Sequence, residues 1–358
     1  MKHVIAVLLV LLLLTLSACD STNVQPDSQI QPSTKSDWQV KDYSQSLKEE
    51  VQGSYDVPSL SEDTNSIIIS AKKDTTEHVL KLQDNKYKEL ASFDRFNSTN
   101  IIHAKKLDIT TINLVGHFGP ESDLRLITQD SLINVQNQDV KIADFNLPEG
   151  SVRTGYLPEI ALQFMQTKDQ IFLATDWGRA YVYSDAKLSA PVYPSWIGAS
   201  VSENNEMWIT TGNEILKWNG TEFEKKFESR SIDDTIIESK AVIYVQGNVA
   251  RRPIAIDSLY IINDNDIYIT MFNKIYHFNG TNWTLDYENP NNTFSKINGN
   301  KNTIVAVGSN GIIVAKDNQK AWTIVHEPNF ELGTLYSILF TQDGFWVGGQ
   351  SQLYFARK

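Results

Sequence analysis

The segment Ile215-Leu216-Lys217-Trp218-Asn219-Gly220-Thr221-Glu222-Phe223 returns later in the chain as Ile275-Tyr276-His277-Phe278-Asn279-Gly280-Thr281-Asn282-Trp283. Both run from an apolar strand through Asn-Gly into a strand that opens on an aromatic. Asn-Gly accepts the positive φ angles of a type I′ turn, so each copy predicts a β-hairpin. Weaker copies are Val79-Leu80-Lys81-Leu82-Gln83-Asp84-Asn85-Lys86-Tyr87, and Ile313-Val314-Ala315-Lys316-Asp317-Asn318 followed by Trp322.

A second signature precedes the copies: a polar turn, then an alternating apolar strand ending in small residues. It occurs at 66–70, 111–116, 170–175, 206–211, 266–271, 303–308 and 344–349, at a spacing of about 36 to 60 residues. Small residues at the strand end suit a place where neighbouring sheets crowd together. A further apolar strand stands ahead of the signature, as at 258–262 and 336–340. One unit thus reads as four antiparallel strands, 259–263, 267–271, 274–278 and 283–287. Four-stranded units repeating at about 40 residues predict an all-β propeller, here of seven blades. A two-layer sandwich is the alternative, but it does not predict a repeating strand order. Helical periodicity is confined to 44–51.

The last unit stops at its third strand, Gln352-Leu353-Tyr354-Phe355-Ala356-Arg357-Lys358. Near the other end, Trp38-Gln39-Val40-Lys41-Asp42-Tyr43 resembles the fourth strand Trp283-Thr284-Leu285-Asp286-Tyr287. Residues 37–43 are therefore expected to complete the last blade and cover its open edge.

These motifs resemble those of bacterial propeller proteins with Asn-Gly-Thr-x-aromatic repeats, including periplasmic sensor propellers and sialidase-like repeat proteins. The resemblance covers residues 37–358. Asp317 and Trp322 have the spacing of the Asp-box turn of the latter, with Gln319 where that motif has glycine. Such motifs specify blades and leave activity open.

The first residues, Met1-Lys2-His3, precede an apolar run from Val4 to Leu14 and then Leu16-Ser17-Ala18-Cys19. The run has signal-peptide length and is too short to span a bilayer. Its end resembles the bacterial lipobox, which implies cleavage after residue 18 and lipid on Cys19. Two or three acyl chains are implied, since one binds a membrane only marginally. Cys19 is the sole cysteine, so no disulfide and no thiolate metal site is expected. Residues 19–36 read as a disordered tether of roughly 20–25 Å. Asp20 resembles the enterobacterial signal for retention at the inner membrane. The expected location is the bacterial cell envelope, facing the periplasm if that signal applies and otherwise at the outer membrane or cell surface.

The net charge is −11 and the pI about 5.1. An acidic surface repels phosphate backbones, so nucleic acid is not an expected partner. No two of the six histidines have i, i+4 spacing. Gly-x-Ser-x-Gly, phosphate-cradling and dinucleotide motifs are lacking, and no cofactor, metal or catalytic residue is expected. Asn263-Asp264-Asn265-Asp266 offers oxygens to calcium, but without the glutamate and spacing of a binding loop it reads as a turn.

A glycan hydrolase requires facing carboxylates. The sialidase resemblance further implies three arginines and a tyrosine. Arg125, Arg153, Arg179, Arg251 and Arg252 are available, outside any family motif. Most tryptophans recur at matching blade positions and read as packing. Trp177, in Thr175-Asp176-Trp177-Gly178-Arg179, stands in a turn and reads as an exposed contact. Insertions at 117–123, 146–158 and 230–253 are further recognition candidates. The last holds Ala241-Val242-Ile243-Tyr244-Val245 and Arg251-Arg252. It reads either as a protruding hairpin or as a strand pair packed on its own blade. The expected function is non-catalytic binding or scaffolding, with Trp177, Arg179, Tyr244, Arg251 and Arg252 as candidate contacts to an envelope protein or glycan. A sialidase-like glycan hydrolase and a surface adhesin are the alternatives.

Overall fold

The computed structural model describes residues 37–63, 66–74, 76–94, 113–116, 124–127, 132–135, 161–167, 170–175, 180–184, 187–188, 192, 196–232, 241–245, 248–252, 256–318 and 320–358. Strand β1 (Gln39–Asp42) leads into a short helix α1 (Ser44–Glu50). The first sheet is the meander β2 (Asp56–Asp63), β3 (Ser66–Lys73), β4 (Thr76–Gln83) and β5 (Lys86–Asp94). A three-stranded sheet follows: β6 (Asn113–Gly116), β7 (Leu124–Ile127) and β8 (Leu132–Val135). Next come β9 (Ala161–Gln166), β10 (Ile171–Thr175), β11 (Ala180–Ser184) and β12 (Lys187–Leu188), then β13 (Gly198–Val201), β14 (Met207–Thr210), β15 (Glu214–Trp218) and β16 (Phe223–Glu228). The hairpin β17 (Ala241–Val245) and β18 (Asn248–Arg252) forms a sheet of its own. It is followed by β19 (Ile256–Asn263), β20 (Asp266–Met271), β21 (Lys274–Phe278) and β22 (Trp283–Glu288). The next sheet is β23 (Phe294–Gly299), β24 (Thr303–Gly308), β25 (Ile313–Asp317) and β26 (Trp322–His326). The last sheet joins β27 (Leu335–Thr341), β28 (Gly344–Gly349) and β29 (Gln352–Arg357) to β1.

Six sheets among the described residues are thus four-stranded antiparallel meanders. The expected strand order of the unit at 259–287 is present as β19 to β22. The apolar signature forms the second strand of six sheets, while its copy at 111–116 forms the edge strand β6. The expected closure is also present. Gln39 pairs with Arg357, Val40 with Ala356, Lys41 with Phe355 and Asp42 with Tyr354.

First strands pack on one another in series: β13 on β19, β19 on β23, β23 on β27, and β27 on β2. These strands are therefore innermost, and the last sheet meets the first. The core is divided among the interfaces between neighbouring sheets. Trp208 and Ile215 meet Ile256, Ile267 and Ile269 at one interface. Val57, Ile67 and Ile69 meet Leu339, Trp346 and Leu353 at the closing one. Burying about 25 cal/mol per Å² of apolar surface at every interface makes the stability collective. Small residues are required where inner strands converge. A Cβ on Gly308 would lie 1.7 Å from the Thr293 carbonyl oxygen, and one on Gly349 would lie 2.2 Å from that of Thr334.

The Asn-Gly hairpins form, but with a different turn from the type I′ expected. Asn219 through Glu222 make a four-residue loop in which Gly220 has φ 104°. The Asn219 Oδ1 accepts the N–H groups of Thr221 and Glu222, both at 2.9 Å. Asn279 does the same for Thr281 and Asn282 at 3.0 Å. The asparagine side chain stands in for a turn carbonyl, and only the glycine needs positive φ. The two-residue I′ geometry occurs instead at Asp84 (φ 51°) and Asn85 (φ 59°).

Candidate functional site

Strand direction sorts the connections. In a four-stranded meander, the chain enters strand one, turns from strand two to three, and leaves strand four at the same end. The opposite end holds the turns from one to two and three to four. The entry end carries exposed apolar side chains: Ile197 ahead of β13, Phe272 between β20 and β21, and Phe330 between β26 and β27, the last 83% exposed. The other exposed large apolar residue among those described, Leu285, lies on the outer strand β22. The connection from β16 to β19, which holds the β17–β18 hairpin, also starts and finishes at the entry end.

That hairpin is hydrogen-bonded to itself and to no blade among the described residues, so it adds no strand to a neighbouring sheet. Val242 pairs with Arg251 and Tyr244 with Val249. Arg252 pairs with Ala241. Arg125 lies on β7 opposite Val115. Trp177, Arg179, Arg153, Cys19 with the whole of 1–36, and the insertions at 117–123 and 146–158 lie outside the described residues.

The turn end is polar. Between two adjacent sheets lies a cleft of about 440 Å³ lined by Glu203, Asn204, Glu206, Ile262, Asn263, Asp264 and Asn265. Lys217 closes it. Its Nζ is 2.7 Å from Glu206 Oε1 and 2.8 Å from both Asp264 oxygens, and it sits 5.2 Å above the Trp208 ring. Burial alone would lower the Lys217 pKa, but hydrogen bonds to Asp264 and Glu206 override it and leave it raised. The same pairing holds Asp264 low against its own desolvation. The Asn263 Oδ1 accepts the Asn265 N–H at 2.9 Å, and Asp266 bonds His277 at 2.8 Å. The oxygens considered for calcium thus bind protein groups, and among the described residues no group of His, Cys, Asp and Glu could hold a metal. The cleft is an inter-sheet clamp in which Lys217 pairs with Glu206 and Asp264.

The tryptophans pack as expected. Trp208, Trp322, Trp196 and Trp346 are buried. The aromatic that opens each outer strand leans on the preceding sheet: Phe223 on Phe172, Trp283 on Phe227, and Trp322 on Tyr287. At the last of these interfaces, the buried Lys316 Nζ lies 2.9 and 2.7 Å from the two Asp286 oxygens, while the Trp322 indole N–H donates to Asp286 at 2.7 Å. Sequence reading missed this lock because its partners come from different blades.

The inner strands also hold a polar ring. Ser200 Oγ accepts the Ile261 N–H at 3.1 Å, and Ser258 Oγ accepts the Ile297 N–H at 3.3 Å. Ser337 Oγ donates to the Val57 carbonyl at 3.0 Å. On β23 the corresponding stretch contains Lys296, whose pKa is lowered by desolvation. It too escaped sequence reading, although aligning Ser258-Leu259, Lys296-Ile297 and Ser337-Ile338 exposes it as the odd member.

Antiparallel meanders packed in series around shared inner strands, closed by an N-terminal strand, define a β-propeller. The chain is an all-β protein of that class. No family model matches the sequence, and no curated protein matches it. Solved structures do. The WD40 β-propeller domain of Doa1 is 13% identical with a TM-score of 0.55, covering 85% of this chain and 93% of that one. YCF48 bound to D1 peptide is 13% identical with a TM-score of 0.54, covering 93% and 99%. The extracellular domain of BT4673 from B. thetaiotaomicron is 12% identical with a TM-score of 0.57, covering 85% of this chain and 38% of that one. At such identities the likeness shows the fold alone.

Proposed function

We propose that this chain is a lipid-anchored propeller of the bacterial cell envelope that binds a partner non-catalytically through its entry end. The observation that carries the reading is the asymmetry of the two ends. Exposed Ile197, Phe272 and Phe330 share the entry end, whereas the turn end is lined by paired charges and asparagine-capped turns. Scattered apolar side chains are ordinary on a surface, but their sharing of one end supports a contact face there. YCF48, a propeller similar in fold, was solved with a bound peptide, and the BT4673 relative is an extracellular domain.

In this reading residues 1–18 are a signal peptide, 19–36 a tether and 37–358 the propeller. Seven blades result if the sheet β6–β8 is counted as one. Among the described residues no helix is long and apolar enough to cross a membrane. Anchoring then rests on lipid at Cys19, and Trp177, Arg179, Tyr244, Arg251 and Arg252 remain candidate contacts to an envelope protein or glycan.

Two measurements test the two halves. Metabolic labelling with an alkyne fatty acid should mark the chain and be lost in Cys19→Ser; label retained in that variant overturns the anchor. A photo-crosslinking amino acid at Phe330 or Phe272 should give a discrete adduct in cells, while the same group at Thr221 or Thr281 should not. Equal crosslinking from both ends overturns the contact face.

A further inference from the structure

The inner strands β2, β19, β23 and β27 each carry a bulge near their start, and the first residue after the bulge is equivalent among these sheets. In β2, β19 and β27 that residue is Ser59, Ser258 and Ser337. In β23 it is Lys296. Ser258 and Ser337 use this position to bind the backbone of the next inner strand. Lys296 faces the same way. It pairs with Val307, which packs in the interface with the last sheet.

Two carbonyls of the next inner strand are engaged by neighbours of Lys296. The Leu335 carbonyl receives the Ser295 hydroxyl, and the Ile338 carbonyl receives the Asn298 amide at 3.4 Å. The charged groups on the neighbouring elements and Tyr336 have partners of their own, while the buried Tyr260 hydroxyl on β19 senses Glu203 and Asp266. Asp257 on β19 accepts the Phe272 N–H at 3.1 Å, Asp266 on β20 bonds His277, and Tyr336 on β27 is paired with Asp56. Among the described residues the Lys296 side chain has no hydrogen bond and no ion pair. Its side chain is nevertheless partly accessible. A desolvated amine without a partner is costly to keep, and sites that break a packing rule in this way are commonly functional.

We propose that Lys296 is the anchor of a ligand site on the inner strands, where it receives the carboxylate of a small monoanionic molecule. One ammonium matches one negative charge, and a chain of net charge −11 disfavours multiply charged anions such as phosphate. The site is separate from the apolar contact face, so its failure leaves the partner-binding reading standing. Burial lowers the pKa of the Lys296 amine. A carboxylate beside it favours the ammonium, so above that lowered pKa binding takes up a proton.

The test is acylation of the full chain in detergent by a water-soluble active ester, with modification at Lys296 followed by mass spectrometry. Propionate and benzoate should each slow that modification several-fold. Chloride and phosphate at equal ionic strength should leave it unchanged. No protection by either carboxylate, equal protection by chloride, or stronger protection by phosphate overturns the proposal. Lys296→Ser installs the residue found in the equivalent strands and should abolish thermal stabilisation by the same carboxylates. Stabilisation that persists in this variant also overturns it. Protection measured on the unmodified chain decides the matter even if the variant does not fold.

Discussion

Two lysines withdrawn from solvent show what a partner does at the scale of one residue. Lys316 and Asp286 compensate each other, and the Trp322 N–H satisfies a further lone pair. Breaking a buried pair leaves the surviving charge desolvated, which costs more than the pair is worth against an apolar replacement. Lys316→Ala should destabilise the domain by about 2–3 kcal/mol, toward the low side because Asp286 keeps the indole and some exposure. The double change Lys316→Met with Asp286→Leu should recover most of that loss. Urea denaturation of the three proteins checks both statements; a single-variant loss below about 0.5 kcal/mol would place the pair among surface bridges. Neither Lys316 nor Lys296 was legible in the sequence. A lone lysine in a strand reads as a solvated position, and its burial follows only from the neighbouring blade. Trp283 and Phe223 were legible because their recurrence after Asn-Gly fixed their place on the outer strand.

Strand placement was legible at the scale of elements for a physical reason. Alternating apolar residues and Asn-Gly turns are local signals, and β19 to β22 fall within a few residues of their expected limits. The turn geometry was less legible, because an asparagine that caps with its side chain and one that adopts positive φ look the same in sequence. Gly220 and Gly280 separate the two costs of losing glycine there. Gly220 has φ 104° and open space around it, so Gly220→Ala should cost about 1 kcal/mol of backbone strain alone. Gly280, at φ 87°, would bring a Cβ to 3.0 Å from that of Asn265, so Gly280→Ala should cost more. Equal losses in thermal unfolding would mean that the contact relaxes freely. Helix α1 offers a different test. Tyr55 donates to the Ser44 carbonyl at 3.0 Å, Tyr87 lies 3.1 Å from the Ser46 hydroxyl, and Leu353 N–H donates to the Ser44 hydroxyl at 3.0 Å. Desolvation raises Tyr87 and Tyr354 to about 12. Between the unfolded tyrosine value of about 10 and that folded value, the unfolded chain holds fewer protons, so stability must fall as pH rises. The unfolding temperature should hold steady below about pH 10 and decline above it, and Tyr87→Phe should shallow that decline. A temperature that stays flat up to about pH 12 would contradict the burial of these hydroxyls.

For the whole molecule the decisive joint is the seam. A ring of sheets has two ends that must find each other, and here they meet through β1 on β29, Ser337 on the Val57 carbonyl, and the Ser351 N–H on the Tyr55 carbonyl at 2.6 Å. Closure of this kind was readable because residues 38–43 copy an outer strand that the last unit lacks. Without β1, the edge of β29 would be open to pairing with another chain. Since the closing interface packs side chains of the first sheet on those of the last, opening the seam should loosen these two sheets together. The register supplies a direct test. Tyr43 N–H donates to the Leu353 carbonyl at 2.8 Å, so in the alternating antiparallel pattern Val40 and Ala356 face each other as a non-hydrogen-bonded pair. Such pairs bring Cα atoms to about 4.5 Å, within disulfide range. With Cys19→Ser removing the sole native thiol, the pair Val40→Cys and Ala356→Cys should oxidise spontaneously. The bond should raise the unfolding temperature relative to the reduced protein, because it closes nearly the whole chain into a loop and restricts the unfolded ensemble. A pair shifted by one register step, Val40→Cys with Phe355→Cys, should oxidise poorly, since those side chains point to opposite faces. If both pairs oxidise equally, β1 is not held in this register. If neither does, the ring does not close through it.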